Sequence, residues 1–202
     1  MIHQSITDKT SPAPANPIAL KRIFAKQWLH LLLLVLLLGG LAPAVRSDPV
    51  RVGVLFGLAT PIWIVVALIL AVTHQSYVWF CWRTQLHASL LTRTFGDRGF
   101  PLYATGFAIL ALSRITSVVM VAAANRGTVP LDLTVLRVIA VVTTAPVVYL
   151  FYSVYRYFTF RRALGVDHFD PSHHSRPLVR QGIFRFTRNG MYVFGLLIAW
   201  LP

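Results

Sequence analysis

Long apolar runs, separated by short polar and basic breaks, constrain this chain more than any other feature of its sequence. They cover Trp28–Ala42, Val52–Phe80, Phe100–Ala124, Leu131–Phe158 and a last run from Met191 to Pro202. About 20 apolar residues are needed to cross a bilayer as a helix. We therefore predict an all-α, polytopic transmembrane bundle with about five spans. The last run reaches only about 18 Å as a helix, so it is predicted to be the start of an incomplete span in a fragment, or a re-entrant helix.

The breaks between the runs complete the predicted outline. The second run is longer than one span needs, so it is predicted to cross the membrane to about Thr73 and to continue as an interfacial helix through Trp82. Residues 83–99 are predicted to be a polar, basic loop and residues 125–130 a turn. Pro146 lies inside the fourth run, where it predicts a kink.

Composition agrees with a membrane protein and excludes several other classes. Hydrophobic residues make up 56% of the chain and charged residues 12%, whereas soluble domains average about 45–50% and 25%. Disordered, collagen-like, coiled-coil and ordinary cytosolic enzyme classes are excluded on these values. The net charge of +13 comes from 19 Lys and Arg against six Asp and no Glu. Because the basic residues flank apolar runs, they indicate a lipid bilayer as partner and no nucleic acid.

The distribution of basic residues predicts the orientation and the domains. Residues 1–27 are predicted to be a polar, basic tail, and residues 28–202 a transmembrane domain that carries a polar loop over 159–190. With the N-terminus in the cytoplasm, the inner segments hold 14 Lys and Arg and the outer turns three, as the positive-inside rule requires. The first run is predicted to be a signal anchor or first span; a cleaved signal peptide is the alternative.

The most informative motif lies between this loop and the last run. Residues 182–192 read Gly-Ile-Phe-Arg-Phe-Thr-Arg-Asn-Gly-Met-Tyr, preceded by Leu178-Val-Arg180. This pattern resembles the signature of the isoprenylcysteine carboxyl methyltransferase and phospholipid N-methyltransferase superfamily of membrane enzymes. The chain departs from the signature at Gly190, where that family usually has Pro. The family's later segment, with Glu and Arg residues that complete the cofactor site, has no counterpart in this sequence.

The resemblance implies an integral membrane methyltransferase that uses S-adenosylmethionine and acts on a lipophilic small molecule or prenylated substrate. The residue types suit that cofactor. Arginine pairs with a carboxylate, asparagine both donates and accepts, and aromatic faces bind cations or adenine. Glycines allow the backbone to approach a ligand closely. The predicted cofactor-binding residues are Gly182, Phe186, Arg188, Asn189 and Tyr192. A non-catalytic membrane subunit and a b-type haem protein are the alternatives.

Other polar residues add one catalytic candidate and no metal site. Arg114 lies deep in the third run, where a charge is costly and indicates function; it would pair with a substrate carboxylate or with Asp132. The catalytic base is not identified. His74 and His87 are 13 residues apart and do not share a helix face, so a bis-histidine haem would need a second helix, with His30 as a candidate. The histidines and aspartates of residues 167–174 fit no zinc spacing and predict a solvated loop.

Overall fold

The computed structural model describes residues 17–128, 130, 132–173, 176–187 and 190–195. Its α-helices are α1 (Pro17–Ile23), α2 (Gln27–Arg46), α3 (Asp48–Arg51), α4 (Thr60–Ala88), α5 (Leu90–Phe95), α6 (Gly99–Ala124), α7 (Leu133–Ser153), α8 (Phe160–Ala163) and α9 (Gly190–Gly195). Helix α7 continues as a π-helical turn over Val154–Phe158, and a two-stranded hairpin, β1 (Val54–Leu55) and β2 (Leu58–Ala59), precedes α4. Short 3₁₀ turns at Gly96–Arg98, Val166–His168, Pro171–His173 and Gly182–Arg185 complete the outline.

Four helical stretches are long and apolar enough to cross a membrane, which identifies an integral membrane protein of the all-α class. They are Leu20–Gly40, Thr60–Ala88, Leu90–Ala124 and Leu133–Phe158. Their outward faces are rich in exposed Leu, Ile, Val and Phe, as a lipid-facing surface requires. The predicted fifth run begins in α9, and its residues beyond Gly195 lie outside the described part of the chain.

Several predicted boundaries are wrong. The second span does not start at Val52, because residues 54–59 form the hairpin and helix α4 begins only at Thr60. The predicted loop over 83–99 is largely helical, since α4 continues to Ala88 and α5 follows it. Helix α1 lies within residues 1–27, whose assignment as a polar tail stays a prediction. Arg83 holds the end of α1, since its Nε donates to the Ile23 carbonyl at 3.0 Å.

Helices α4 and α6 form the best-packed pair, running in opposite directions. At one end the Thr60 hydroxyl, fully buried, donates to the Gly53 carbonyl at 3.0 Å and lies 3.3 Å from Asn125 Oδ1. Farther along, the Tyr77 hydroxyl donates to the Tyr103 carbonyl at 2.9 Å, and the two rings stack at 5.8 Å. Polar contacts of Thr60 with the Asn125 side chain and of Tyr77 with the Tyr103 carbonyl therefore fix the register of two largely apolar helices.

A separate apolar cluster joins the end of α7 to the segment over residues 178–195. Leu150, Val154, Ile183 and Phe184 are all buried and form its centre. Partly buried side chains surround them, including Phe158, Ala163, Val179, Met191 and Phe194. The cluster places the sequence motif against the same end of the bundle that carries the last turns of α4.

Candidate functional site

The first half of the motif is anchored on α7 through one buried hydroxyl. Ser153 is fully buried; its Oγ–H donates to the Tyr149 carbonyl at 2.7 Å, and its Oγ accepts from the Ile183 N–H at 3.0 Å. Gly182 has φ +60°, and a Cβ there would lie 2.5 Å from Ser153 Oγ and 2.9 Å from Ser153 Cβ. Glycine is required here because α7 occupies the space of a side chain.

The five predicted cofactor-binding residues do not form one described cluster. The backbone of Gly182 approaches Ser153, so protein packing accounts for this glycine without a ligand. The Phe186 side chain is 63% exposed, and the Arg185 guanidinium lies over its ring at 4.6 Å. Arg188 and Asn189 lie outside the described residues, and of Tyr192 only the backbone, within α9, is described. Their role in binding stays a prediction.

A cavity of about 260 Å³ opens directly beside the motif. The motif contributes Phe184 and Met191 to its wall, and the lead-in to the motif contributes Arg180. The opposite wall comes from Trp82, near the end of α4, and from Asp167 and His168 in the turn after α8. The His168 ring stacks on the Trp82 indole at 4.8 Å. Three segments distant in sequence thus enclose a space that contains both charge and aromatic surface.

Two buried polar atoms of opposite character lie in the side chains that line this cavity. Trp82 Nε1–H is a donor with no hydrogen-bond acceptor among the described residues, and Asp167 Oδ1 accepts no hydrogen bond there, although His173 Nδ1 lies 3.5 Å from it. Buried polar groups in folded proteins are normally paired, and an exception calls for a ligand, a water or strain. A ligand that both accepts from Trp82 and donates to Asp167 would satisfy the pair.

Arg162 holds the walls of the cavity together. Its Nε donates to Asp167 Oδ2 at 3.1 Å, and its Nη1 donates to the Pro177 carbonyl at 3.2 Å. Its guanidinium also lies 5.3 Å from the centre of the Phe158 ring. Because only 12% of the Arg162 side chain is exposed, water screens these contacts weakly. The residue therefore fixes Asp167 with one carboxylate oxygen turned to Arg162 and the other 3.5 Å from His173 Nδ1.

The loop of residues 167–173, predicted to be solvated, packs against the helix pair instead. The Phe169 ring stacks on Tyr103 of α6 at 5.4 Å and meets Phe100 edge-on at 5.3 Å. His173 bridges the aspartates, with Nδ1 3.5 Å from Asp167 Oδ1 and Nε2 3.7 Å from Asp170 Oδ2. Hydrogen bonds from Ser172 hold the pKa of Asp170 below its usual value. Among the described residues no three His, Cys, Asp or Glu side chains group as metal ligands do.

The catalytic candidate Arg114 lies far from this cavity, in the middle of α6. Its proposed partner Asp132 is engaged elsewhere: Asp132 Oδ1 accepts from the backbone N–H groups of Thr134 at 2.8 Å and Val135 at 3.2 Å, capping α7. No carboxylate among the described residues makes an ion pair with Arg114. The pairing with Asp132 is therefore not formed, and the role of Arg114 toward a substrate stays a prediction.

Sequence reasoning missed Trp82 and Asp167 as site residues. Trp82 reads as part of an interfacial aromatic belt, and Asp167 as part of a polar loop, because nothing in their local sequence places them near residue 184. Arg180 did carry a signal, since it belongs to the Leu178-Val-Arg180 lead-in of the motif. His74 and His87 both lie on α4, and no contact between them is formed.

Comparison with models of protein families, with curated proteins and with solved structures finds no match to this chain.

Proposed function

We propose that this integral membrane protein is an S-adenosylmethionine-dependent methyltransferase whose cofactor binds in the cavity beside the 182–192 motif. One observation carries the proposal: two side chains that line the same cavity carry a buried donor, Trp82 Nε1–H, and a buried acceptor, Asp167 Oδ1. Neither atom makes a hydrogen bond among the described residues, and His173 Nδ1 lies 3.5 Å from the acceptor. The methionine end of the cofactor has a carboxylate and an ammonium group. It offers the acceptor and the donor that these two atoms lack.

The size of the cavity favours binding of that end alone. Sites for whole drug-sized ligands measure about 300–1,000 Å³, and this cavity of about 260 Å³ is smaller. Arg180, exposed at its edge, would pair with the carboxylate, and Asp167 with the ammonium group. The adenosine part would extend toward the second half of the motif, where Arg188, Asn189 and Tyr192 remain the predicted contacts.

The protein's own part in the reaction would be to orient the reacting partners. The bound cofactor would supply an electrophilic methyl group. The chain's own contribution is to hold the reacting partners in line, since correct orientation removes much of the entropic barrier. The cavity lies at one end of α4 and α7, whose exposed apolar faces adjoin lipid, so a lipophilic acceptor would reach it laterally. No described residue stands out as a base.

The cofactor assignment is tested by comparing two ligands on matched variants. The full-length gene product is placed in nanodiscs, and calorimetry measures binding of S-adenosylmethionine and of methylthioadenosine, which lacks the amino-acid end. Wild type is expected to prefer S-adenosylmethionine. Trp82→Phe and Asp167→Asn should each reduce that preference about tenfold or more, because each removes one contact to a charged group.

A matched control lies close by in the same helix. Trp79, one turn earlier in α4, also has a buried indole N–H without an acceptor among the described residues, but it does not line the cavity. Trp79→Phe should therefore leave the preference unchanged. Absence of binding by the wild type, or an equal loss in Trp79→Phe and Trp82→Phe, would contradict the proposal.

The proposal also requires the motif to face the cytoplasm, where the cofactor is made. Ser172 lies in an exposed turn on the motif side, and Arg126 is exposed in the turn between α6 and α7. A cysteine replacing Ser172 is expected to resist a membrane-impermeant thiol reagent in intact cells, whereas one replacing Arg126 should react. The native Cys81 is buried and contributes little background. The reverse labelling would overturn the orientation and with it access to the cofactor.

A further inference from the structure

Helix α1 is fixed to the end of α4 by the side chain of Arg83. Its Nε donates to the Ile23 carbonyl at 3.0 Å, and its Nη2 donates to the carbonyls of Arg22 and, at 3.2 Å, of Ala25. The last carbonyls of a helix lack the donors of a following turn, and Arg83 supplies donors from another helix. The Ile23 side chain is also buried. Both backbone and side chain therefore hold the end of α1 in place.

This contact lies at the boundary of the membrane. Helix α4 has 29 residues, and about 20 of them suffice to cross the hydrocarbon core, so its last residues extend into the headgroup region. Trp79 and Trp82 belong to this end of α4, and aromatic side chains of this kind are enriched at that depth. The Phe24 ring, in the turn between α1 and α2, packs on the Trp79 indole with 5.7 Å between the ring centres. Arg83 therefore places the end of α1 at the depth of the lipid phosphates.

Three exposed cations, Lys21, Arg22 and Lys26, surround this contact and form what we call the basic surface. Helices α1, α2, α4 and α5 contain no Asp or Glu. Within the described part of the chain, none of the three cations takes part in an ion pair. Two apolar side chains lie among them, Leu20 at 47% and Phe24 at 58% exposed. The basic surface thus joins unpaired positive charge to exposed apolar area.

We infer that the basic surface binds the headgroup of an acidic phospholipid. Basic residues beside a membrane span are attracted to anionic lipid, and Lys and Arg donate charge-assisted hydrogen bonds to phosphate. The exposed Leu20 and Phe24 favour a lipid over a soluble anion, because only a lipid brings acyl chains to cover them. Arg83 is a positioning residue, since its guanidinium donates to the carbonyls of α1 and its neighbouring turn.

The basic surface is separate from the cavity beside the motif, although both adjoin the same end of α4. Trp82 lines the cavity and Arg83 holds α1, and consecutive residues point about 100° apart around a helix. The inference does not depend on the proposed methyltransferase activity. A protein that fails to bind S-adenosylmethionine can still bind the acidic lipid, and the converse also holds.

Photolabelling with a lipid tests the inference at the site itself. The protein in phosphatidylcholine nanodiscs receives a small fraction of phosphatidylglycerol that carries a diazirine close to its headgroup, and the labelled peptides are mapped after irradiation. We expect saturable labelling of residues 20–30 that unlabelled phosphatidylglycerol displaces and added phosphatidylcholine does not. Combining Lys21→Gln, Arg22→Gln and Lys26→Gln should reduce this labelling about tenfold or more, because each cation near the surface adds to the attraction. Labelling of α6 in the same sample should not change, which shows that the variant is folded.

Matched variants separate a held site from net charge. Arg46→Gln, Arg51→Gln and Arg126→Gln together also remove three exposed cations, at the opposite end of the spans, and should leave the labelling of residues 20–30 unchanged. Arg83→Lys keeps the charge but not the fork that reaches several carbonyls, so this labelling should fall about threefold or more. An unaltered signal in the first triple variant, or an equal fall in both triple variants, would overturn the inference. Displacement by an equal concentration of inorganic phosphate would assign the charges to a soluble anion and overturn the lipid.

Discussion

The helix pair α4–α6 and the junction between α7 and the motif are stabilised in opposite ways. The pair is two apolar helices fixed by polar contacts, from Thr60 to the Asn125 side chain and from Tyr77 to the Tyr103 carbonyl. The junction is an apolar cluster, centred on Ile183 and Phe184, that encloses one buried hydroxyl at Ser153. Inside a bilayer, apolar contact scarcely favours a neighbouring helix over lipid, so polar and close-packed contacts set the register.

The junction follows the rules of a water-soluble core because it lies at the end of the spans. There, removing Ile183 and Phe184 from water is favourable in itself. The further requirement is that the two side chains fit against α7. Ser153 and Gly182 provide that shape, one by accepting the Ile183 N–H and the other by leaving space. The comparison teaches that the motif's first half is a docking element, and that the polar side chains of the cavity wall, Trp82, Asp167 and Arg180, come from outside it.

The largest effect is expected where the docking is tightest. Gly182→Ala forces a Cβ against Ser153 at a backbone with φ +60°, so strain and overpacking should destabilise the protein by about 2–4 kcal/mol. Denaturant unfolding in detergent measures the change. Gly57→Ala is the matched control, since its φ is +76° but no atom lies within 4 Å of the added Cβ. Similar losses in the two variants would show that contact with Ser153 contributes nothing.

The buried hydroxyl of the junction is the next target. Ser153→Ala leaves the buried Ile183 N–H without its acceptor, which should cost about 1–3 kcal/mol. Thr143→Ala on the same helix removes a hydroxyl that bonds back to carbonyls of its own helix, Ile139 at 2.7 Å and Ala140 at 3.1 Å, and it should change stability little. Limited proteolysis of residues 178–187 should accelerate in the first variant alone. Equal rates of proteolysis in the two variants would show that Ser153 does not anchor this segment.

The helix pair should be less sensitive to loss of one contact. Tyr77→Phe keeps the ring stacked on Tyr103 and removes the hydrogen bond to its carbonyl. Hydrogen bonds between membrane helices are worth about 0.6 kcal/mol on average, so the unfolding free energy should fall by about that amount. A loss as large as that of Ser153→Ala would remove the contrast between the two regions.

The smallest effect concerns the start of α7, far from the junction. Two backbone N–H groups, of Thr134 and Val135, hold the pKa of Asp132 below its usual value. A carboxyl with a lowered folded pKa contributes stability above its unfolded pKa, and loses it as the pH falls through the folded value. The cap should therefore persist to more acidic pH than an ordinary aspartate allows. A midpoint at or above pH 3.8 in an NMR titration of the Asp132 carboxyl would contradict this expectation.

Sequence patterns predicted the spans better than the breaks between them. Helix α6 of the third span begins at Gly99, one residue before the predicted start at Phe100, and ends at Ala124 as predicted. The apolar run is long enough for its mean hydropathy to locate the helix. The start of the second span failed at Val52–Ala59, an apolar stretch that the bend at Phe56 and Gly57 turns into a hairpin. Hydropathy alone does not separate a short apolar hairpin from the first turns of a helix.

The candidate site was predictable only in part for a similar reason. The motif located one wall of the cavity, and Arg180 belongs to its lead-in. The other wall needs Trp82, 100 residues before Gly182 at the start of the motif, and Asp167, whose position depends on the Arg162 contacts. Packing of separate helices brings those residues together, so no local spacing in the sequence predicts that they are neighbours.

The most direct test of the central proposal is the indole resonance of Trp82. In ¹⁵N–¹H spectra of the full-length protein in nanodiscs, Trp82→Phe and Trp79→Phe identify the two indole N–H signals. Because the Trp82 N–H lacks an acceptor among the described residues and lines the cavity, adding S-adenosylmethionine should shift its signal downfield while that of Trp79 stays in place. An unmoved Trp82 signal at saturating S-adenosylmethionine, or equal shifts of both signals, would contradict the account.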